Sequence, residues 1–221
     1  MLKASTAKVH LKTSVSRVEH AVDGKGYTLF LSDEKQIRCR AVVMASPLEL
    51  NTVHLPSDLL QHHVPREFQL TQTTFIEGTL NASYFATSSA SELPEIILTT
   101  ESKDVFFNSI GRIHKVERNV FLYKVFSRKK LDENNLNDLF TTYNVLREYP
   151  WMAYPKFTPP EKFMPFELGH GFYYTNALET AASAMEMSLI SGRNAALLVQ
   201  KQWNLTPRAE LQGDTHVKEE L

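Results

Sequence analysis

The amino-acid sequence predicts a mixed α/β (α+β) fold in which both ends of the chain form one domain and the middle forms an inserted antiparallel sheet. A near-continuous apolar strand covers residues 40–47, strand-like runs fill residues 73–126, and a helix opens on small residues after residue 181. Continuous apolar strands are typical of sheets covered on both faces. Runs of β-branched and aromatic residues separated by turn residues are typical of antiparallel sheets.

The first elements of the chain indicate a hairpin followed by a buried strand. Residues 8–18 alternate between apolar and polar side chains, which predicts a half-buried strand with a break near Thr13-Ser14. Residues 22–26 predict a tight turn, and residues 27–31 predict the returning strand. The apolar strand at residues 40–47 then ends in a loop.

The middle of the chain predicts a sheet followed by a helix. Strands are expected where Phe, Ile, Tyr, Thr and Val cluster, at residues 73–85, 95–100, 104–110 and 119–126. Residues 132–149 predict a helix that ends at Tyr149-Pro150. The apolar residues at helical spacing in this segment are Leu136, Leu139, Phe140, Tyr143 and Leu146.

Proline-rich residues 156–165 predict an extended crossover back to the first domain, and the polar composition beyond residue 204 predicts a disordered tail. The outer domain is therefore expected to comprise residues 1–55 and 155–204. The inserted domain is expected at residues 56–154, and the tail at residues 205–221.

Composition excludes several functional classes. The net charge is −1 and the pI is near 6.7, and no basic stripe indicates nucleic acid as a partner. The single cysteine, Cys39, excludes an intrachain disulfide. His62 and His63 are adjacent and point apart, so no metal site is expected. No apolar run reaches the roughly 18–20 residues needed for a transmembrane segment.

Some features concern the cellular compartment. Asn81 and Asn204 lie in sequons and are candidate glycosylation sites for a protein that enters the secretory pathway. Residues 218–221 are a loose variant of an endoplasmic-reticulum retrieval tail. The first eight residues have no apolar segment of the kind found in signal peptides. These features agree if the chain is the C-terminal part of a secreted parent.

Residues 173–188 carry the most functional information. They indicate a short strand, a turn containing Glu179, and a helix that opens on Ala181, Ala182, Ser183 and Ala184. Small side chains allow a ligand to approach the backbone, and unpaired N–H groups at a helix start favour an electron-rich ligand. A tightly packed core helix is the alternative interpretation of the same residues.

The run Ala181-Ala182-Ser183-Ala184-Met185-Glu186-Met187-Ser188, preceded by Tyr154-Pro155 and Pro159-Pro160, resembles the prenylcysteine oxidase family. The resemblance covers roughly residues 1–204 and is most specific between residues 151 and 198. It implies part of a flavin amine oxidase-type FAD/NAD(P)-binding domain, with the inserted sheet as the substrate domain. It also implies that FAD contacts the positions Val15, Ser46, Pro47, Glu179, Ser183, Ala184 and Met185.

The glycine-rich turn that binds pyrophosphate in such folds is missing from the sequence. Gly24-Lys25-Gly26 lies in a hairpin turn, and the eight glycines form no Gly-x-Gly-x-x-Gly pattern. In the family that motif lies far N-terminal to the part matched here. The resemblance therefore predicts an incomplete FAD domain that, by itself, binds FAD poorly and is marginally stable.

The resemblance also implies a reaction. Prenylcysteine oxidases pass a hydride from the carbon beside the thioether sulfur to the flavin. Water and oxygen then yield cysteine, a prenyl aldehyde and hydrogen peroxide, in the lysosome or secretory pathway. An isoprenoid pocket is expected among the aromatic residues of the sheet, at Phe75, Phe85, Phe106, Phe107 and Tyr123, for which ordinary core packing is the alternative.

Two other functional classes stay open from the sequence. A truncated, noncatalytic isoform or paralogue could bind a lipid or protein partner through the inserted sheet, as the missing glycine motif allows. An amine oxidase is less well supported. Those enzymes present paired aromatic residues to the flavin, whereas Tyr173 and Tyr174 are adjacent on a strand and point to opposite faces.

Overall fold

The computed structural model describes residue 5, residues 7–100, residue 102 and residues 104–204. The predicted disordered tail at residues 205–221 lies outside the described residues, as does the retrieval-like sequence at its end. The chain divides into two compact units. Unit 1 comprises residues 1–66 and 157–221, and unit 2 comprises residues 67–156.

The described elements, in chain order, are strands β1 to β11 and helices α1 and α2. The strands are β1 (Val15–His20), β2 (Tyr27–Leu31), β3 (Gln36–Cys39), β4 (Val42–Met44), β5 (Phe68–Leu80), β6 (Ile96–Leu98), β7 (Ser109–Glu117), β8 (Val120–Ser127), β9 (Phe140–Pro155), β10 (Glu167–Gly169) and β11 (Phe172–Tyr174). The helices are α1 (Glu133–Leu139) and α2 (Met185–Gln202). A 3₁₀ helix, Thr175–Thr180, joins β11 to the chain that precedes α2.

Unit 1 contains two small sheets. Strands β1, β2 and β3 form an antiparallel sheet in that order, which confirms the predicted hairpin. At its turn Gly26 has a φ of 107°, and a Cβ there would collide with the carbonyl oxygen of Cys39, so glycine is required. Strand β1 begins at Val15, directly after the predicted break near Thr13-Ser14, and the described residues before the break, 7–12, form no strand.

The second sheet of unit 1 contains a parallel strand pair. Strands β11 and β4 run parallel, with Phe172 opposite Val42 and Tyr174 opposite Met44, and β10 pairs with β11 in the antiparallel sense. A buried cluster that includes Tyr27, Leu59, Phe172 and Tyr174 fills the unit. Because the two parallel strands end at the same edge, the chain that follows each of them meets there.

Unit 2 is built on a five-stranded antiparallel sheet in the order β6-β7-β8-β5-β9. Directly opposite residues on antiparallel strands share a face, and successive residues alternate between faces. One face carries the row Ile97, Ile110 and Val125, which belongs to the apolar core or packs against it. The opposite face therefore carries the residues in between.

Helix α1 closes the core of unit 2. Its N-terminus has a capping box in which Asp132 accepts from the Asn135 N–H and the Asn135 side chain accepts from the Asp132 N–H. Leu136 and Leu139 of this helix are buried in the core cluster.

The predicted helix at residues 132–149 is mostly wrong. Helix α1 ends at Leu139, and residues 140–149 belong to the long strand β9, which pairs with β5 along its length. Phe140, Tyr143 and Val145 pack on the core from the strand. The β-branched and aromatic side chains of this segment suit the sheet, and pairing with β5 outweighs the helical spacing of the apolar residues. Within the described residues, neither helix is long and apolar enough to cross a membrane.

Candidate functional site

A cavity of about 260 Å³ lies in unit 1 where the parallel strands end. Ala45 follows β4 and Thr175 follows β11, and both line the cavity. Ligands in open α/β sheets bind beyond the carboxyl ends of the strands, which is the position of this cavity. Its wall is completed by Glu179, by Ala182 and by the first turns of α2.

Helix α2 begins at this cavity without a side-chain cap. Ala184 is its N-cap residue and offers no acceptor, and the first helical bond runs from the Ser188 N–H to the Ala184 carbonyl. The N–H groups of Met185, Glu186 and Met187 therefore have no partner within the helix. Together with the helix dipole, they favour an electron-rich group in the cavity.

Small side chains leave space next to the backbone along the cavity wall. Ala182, Ser183, Ser188 and Gly192 line it. A Cβ built on Gly192 would meet no atom within 4 Å among the described residues, so this helical glycine is not explained by close packing within the unit. The small side chains and the free N–H groups fit the electron-rich edge of a flavin ring system.

The structure brings only some of the sequence-predicted residues to the cavity. Glu179 and Ser183 line it, and Ala184 and Met185 form the start of α2 beside it. The other three predicted contacts, Val15, Ser46 and Pro47, do not line it. Val15 packs against the core of unit 1, and the carbonyl of Pro47 accepts a hydrogen bond from Asn51 Nδ2 at 2.7 Å. Their contact with FAD stays a prediction.

Glu179 is held by its own neighbours. Its Oε2 atom lies 3.4 Å from Arg66 Nη1 and accepts from Asn176 Nδ2 at 3.3 Å, and its Oε1 accepts from Ser183 Oγ at 3.3 Å. The carboxylate thus fixes the 3₁₀ turn against the segment that leads into α2. It is positioned at the cavity wall by contacts that cover both of its oxygens.

Behind the cavity wall lies a charged network that sequence reasoning missed. Arg66 donates to both carboxylate oxygens of Glu49, at 2.8 and 3.0 Å, and to the Tyr174 hydroxyl at 3.1 Å. Both charged side chains are nearly buried. Burial opposes ionisation of Glu49, but the hydrogen bonds from Arg66 outweigh it and lower the pKa of the carboxyl group. Burial raises the pKa of Tyr174 to about 12. Glu49 lies in the short 3₁₀ helix Leu48–Leu50 and Arg66 in a loop 17 residues later. This spacing gives no local sequence pattern, so only the fold reveals the pair.

The adjacent tyrosines are both core residues. The Tyr174 hydroxyl bonds to Arg66 and to the Leu48 N–H, whereas the Tyr173 hydroxyl donates to Gln202. Both side chains are buried. They have different partners, so they do not form a pair of aromatic walls of the kind expected for an amine oxidase.

Within the described residues, neither the cysteine nor the metal-ligating side chains form a second reactive centre. Cys39 is half-buried in β3, and burial raises the pKa of its thiol, which makes it a poor nucleophile. No group of three or more His, Cys, Asp or Glu side chains in the described part of the chain could hold a metal ion.

The expected isoprenoid pocket among sheet aromatics is not formed by the predicted set. Phe107 and Tyr123 are buried in the core of unit 2, and Phe85 and Phe106 pack against it. Phe75 lies beside Tyr149, with ring centroids 6.2 Å apart, on the opposite face. A sequence pattern does not distinguish the two faces until the register of the strands is known.

The fold is that of flavin-type amine oxidases. The structure resembles cyclohexylamine oxidase from Brevibacterium oxydans IH-35A with a TM-score of 0.52 and 17% sequence identity, over 86% of this chain and 48% of that one. At this identity the likeness concerns the fold alone. The shared fold is of mixed α and β structure, and the match spans about half of that chain.

Sequence similarity is more specific than the fold. The family model for prenylcysteine lyase matches residues 1–210. Farnesylcysteine lyase from Arabidopsis thaliana is 32% identical over 201 residues, which are 90% of this chain and 39% of the relative. Prenylcysteine oxidase 1 from Bos taurus is 35% identical over 191 residues, which are 80% of this chain and 36% of that protein. The chain belongs to the prenylcysteine lyase family, and it spans less than half the length of these curated relatives.

Proposed function

We propose that this chain forms the cofactor-edge and substrate-domain part of an FAD-dependent thioether oxidase. The substrate is prenylcysteine, and the products are cysteine, a prenyl aldehyde and hydrogen peroxide. Water and molecular oxygen balance the reaction. Membership of the prenylcysteine lyase family supports the substrate class, because relatives bear the names prenylcysteine oxidase and farnesylcysteine lyase.

The observation that carries the proposal is the cavity at the start of α2. Its wall of small residues and its uncapped N–H groups at Met185, Glu186 and Met187 suit the electron-rich edge of a flavin. When bound, FAD would supply the hydride acceptor for the carbon beside the thioether sulfur. The residues of this chain orient that edge, favour negative charge on it and exclude water from it.

The chain by itself is expected to bind FAD weakly. None of its eight glycines forms the turn that cradles a pyrophosphate. Strand β4 is the outer strand of its sheet in the described residues, and Val43 on it is exposed. Apolar edges of this kind need a covering segment for full stability.

Peroxide release from farnesylcysteine tests the proposal. One sample is the 221-residue chain, and the other is a chimera that joins it to the N-terminal part of the Arabidopsis relative. We expect FAD absorbance and peroxide from the chimera and at least 100-fold less peroxide from the chain alone. Equal activity in both would contradict the role given to the missing glycine turn. A chimera with stoichiometric FAD and no peroxide would contradict the oxidase assignment.

The second candidate function is a noncatalytic lipid- or protein-binding module. The observation that supports it is that unit 2 is compact and has its own apolar core. If this function is correct, the chimera should bind farnesylcysteine through unit 2 even when it contains no FAD.

We also propose a lysosomal or secretory location, on the support of the two sequons. Asn81 follows β5 in a turn, and its neighbour Ser83 is exposed. Asn204 follows α2, and its sequon extends beyond the described residues. A mass shift on treatment with an N-glycosidase that disappears in Asn81→Gln and Asn204→Gln would test glycosylation at each position.

A further inference from the structure

A second cavity, of about 560 Å³, lies on the open face of the unit 2 sheet. This size is typical of small-molecule pockets, which measure about 300–1,000 Å³. All of its lining residues belong to unit 2, and none of them lines the cavity at α2. None of the aromatic residues expected from the sequence to hold the isoprenoid chain lines it.

Strand register explains why these side chains meet. Leu98 of β6 lies opposite Ser109 of β7, Ser109 opposite Phe126 of β8, and Phe126 opposite Thr73 of β5. This row faces away from the core, because the core row occupies the alternate positions. The indole N–H of Trp151 on β9 donates to Thr73 Oγ1 at 3.0 Å, which holds the ring over the same face.

The cavity has an apolar wall and a polar rim that includes the guanidinium group of Arg128. Leu98, Phe126, Trp151 and Ala153 supply the apolar wall. Leu98 is 75% exposed and Trp151 is 45% exposed, so apolar surface faces solvent here. Among the described residues that line the cavity, the charged one is Arg128, whose Nη1 donates to Gln69 Oε1 at 3.3 Å at the rim.

We propose that this cavity binds the isoprenoid chain of an S-prenylcysteine, with the substrate carboxylate at Arg128. An unsaturated branched chain suits the apolar wall of Leu98, Phe126 and Trp151. The carboxylate at the other end of the same molecule complements the guanidinium group. The inference rests on the proposed function for the substrate class, and it adds the place where that substrate is held.

Tryptophan fluorescence tests the site in the full 221-residue chain without any oxidase activity. The chain has two tryptophans, Trp151 and Trp203, so Trp203→Phe leaves Trp151 as the single reporter. Titration with S-farnesylcysteine is expected to shift Trp151 emission saturably. If Trp151 emission does not shift while the chimera does oxidise farnesylcysteine, the proposed site is wrong and the proposed function stands.

The matched variants are Leu98→Gln and Ile96→Gln. Both residues lie on β6, two positions apart and on one face, and they are 75% and 65% exposed, so neither substitution empties the core. Only Leu98 lines the cavity. We expect about tenfold weaker binding for Leu98→Gln, which corresponds to about 1.4 kcal/mol, and less than a twofold change for Ile96→Gln. Equal losses in both would mean nonspecific adsorption and overturn the site.

The charge at the rim has its own test. The free acid of S-farnesylcysteine is expected to bind about tenfold more tightly than its methyl ester, and Arg128→Gln should abolish that difference. A preference that survives in Arg128→Gln overturns the role of the arginine. In the chimera, Trp151 emission could already be shifted before any ligand is added and fail to respond to the ligand. This result would show that another segment covers this face of the sheet, and it also overturns the proposal.

Discussion

The two α-helices of the described chain are used in opposite ways. Helix α1 has seven residues and buries both of its leucines, Leu136 and Leu139. Helix α2 has 18 residues, yet its buried residues are Ser191 and Ala195, while Met185, Leu189 and Ile190 are exposed. A tightly packed core helix therefore does not describe α2 within this chain. An apolar helix with an exposed apolar side and a cavity at its start is suited to contacts outside the unit's own core.

The two units also differ in which interactions hold them together. Unit 2 is held by one large apolar cluster under its sheet. Unit 1 has an apolar cluster too, but its cavity wall is fixed by the nearly buried Arg66, Glu49 and Glu179. A core of packed side chains tolerates the loss of one contact gradually, whereas a buried ion pair leaves an uncompensated charge when one partner is removed. Mutations that remove each kind of contact sharpen this comparison.

The largest effect is expected for Arg66→Met in unit 1. It leaves the Glu49 carboxylate, whose side chain is 9% exposed, without its bidentate partner, and removing one member of a buried pair costs about 3–5 kcal/mol. The control is Arg38→Met, which breaks the exposed pair with Asp23 and should cost far less, because solvent screens that pair. Urea unfolding measures both, and similar values for the two variants would contradict a structural role for the Arg66 network.

The next largest effect is expected for Leu139→Ala in unit 2. Leu139 is completely buried at the end of α1, and its truncation should cost about 3 kcal/mol. Leu189→Ala in α2 is the matched control, because the same atoms are deleted from a side chain that is 56% exposed. The expected cost there is below about 0.5 kcal/mol. A large loss from Leu189→Ala would mean that α2 is packed as firmly as α1 and would break the comparison.

The sequence predicted much of the architecture and part of the candidate site. The β1–β2 hairpin and the strands near residues 42 and 120 follow from turn residues and apolar alternation, which are local signals. The long strand β9 does not, because its partner β5 lies about 70 residues away in the chain and supplies the pairing that overrides helical spacing. Misassigning β9 also hid Trp151 and its cavity. The small residues before α2 were a local signal, whereas Arg66 meets Glu179 only through the fold.

Two glycine-to-alanine substitutions compare the sheet of unit 2 with helix α2 of unit 1. A Cβ on Gly78 of β5 would collide with the carbonyl oxygen of Thr142 on β9, so Gly78→Ala should cost about 2 kcal/mol. Gly192→Ala has open space within α2 and should stabilise the chain by about 0.5–1 kcal/mol. Thermal unfolding measures both. In the chimera, Gly192→Ala should lower FAD content, because the new methyl group enters the cavity; unchanged FAD content would separate this cavity from the cofactor.

The smallest expected effect is the pH dependence of stability that comes from Glu49. It is absent at neutral pH and appears only in acid, where the carboxyl group takes up a proton. Its pKa in the folded chain is below the ordinary 4.5, through the hydrogen bonds from Arg66 and despite burial. A carboxyl group with a lowered folded-state pKa stabilises the fold above its unfolded-state pKa, and the contribution is lost as the pH falls through the folded value. Tyr174 stays protonated throughout this range, and His63 Nε2 lies 3.9 Å from Glu49 Oε1.

We therefore expect the free energy of unfolding to decline as the pH falls below about 4.5, and this decline to be shallower in Glu49→Gln, whose side chain does not titrate. The variant is less stable at pH 7, so the slope with pH is the quantity to compare. Asp33→Asn is the control, because Asp33 pairs with Lys35 at the exposed β2–β3 turn, where solvent weakens the interaction. An unchanged acid slope in Glu49→Gln would mean that the Arg66 network contributes packing to unit 1 and no pH-dependent stability. Unit 1 would then rest on its apolar cluster, as unit 2 does.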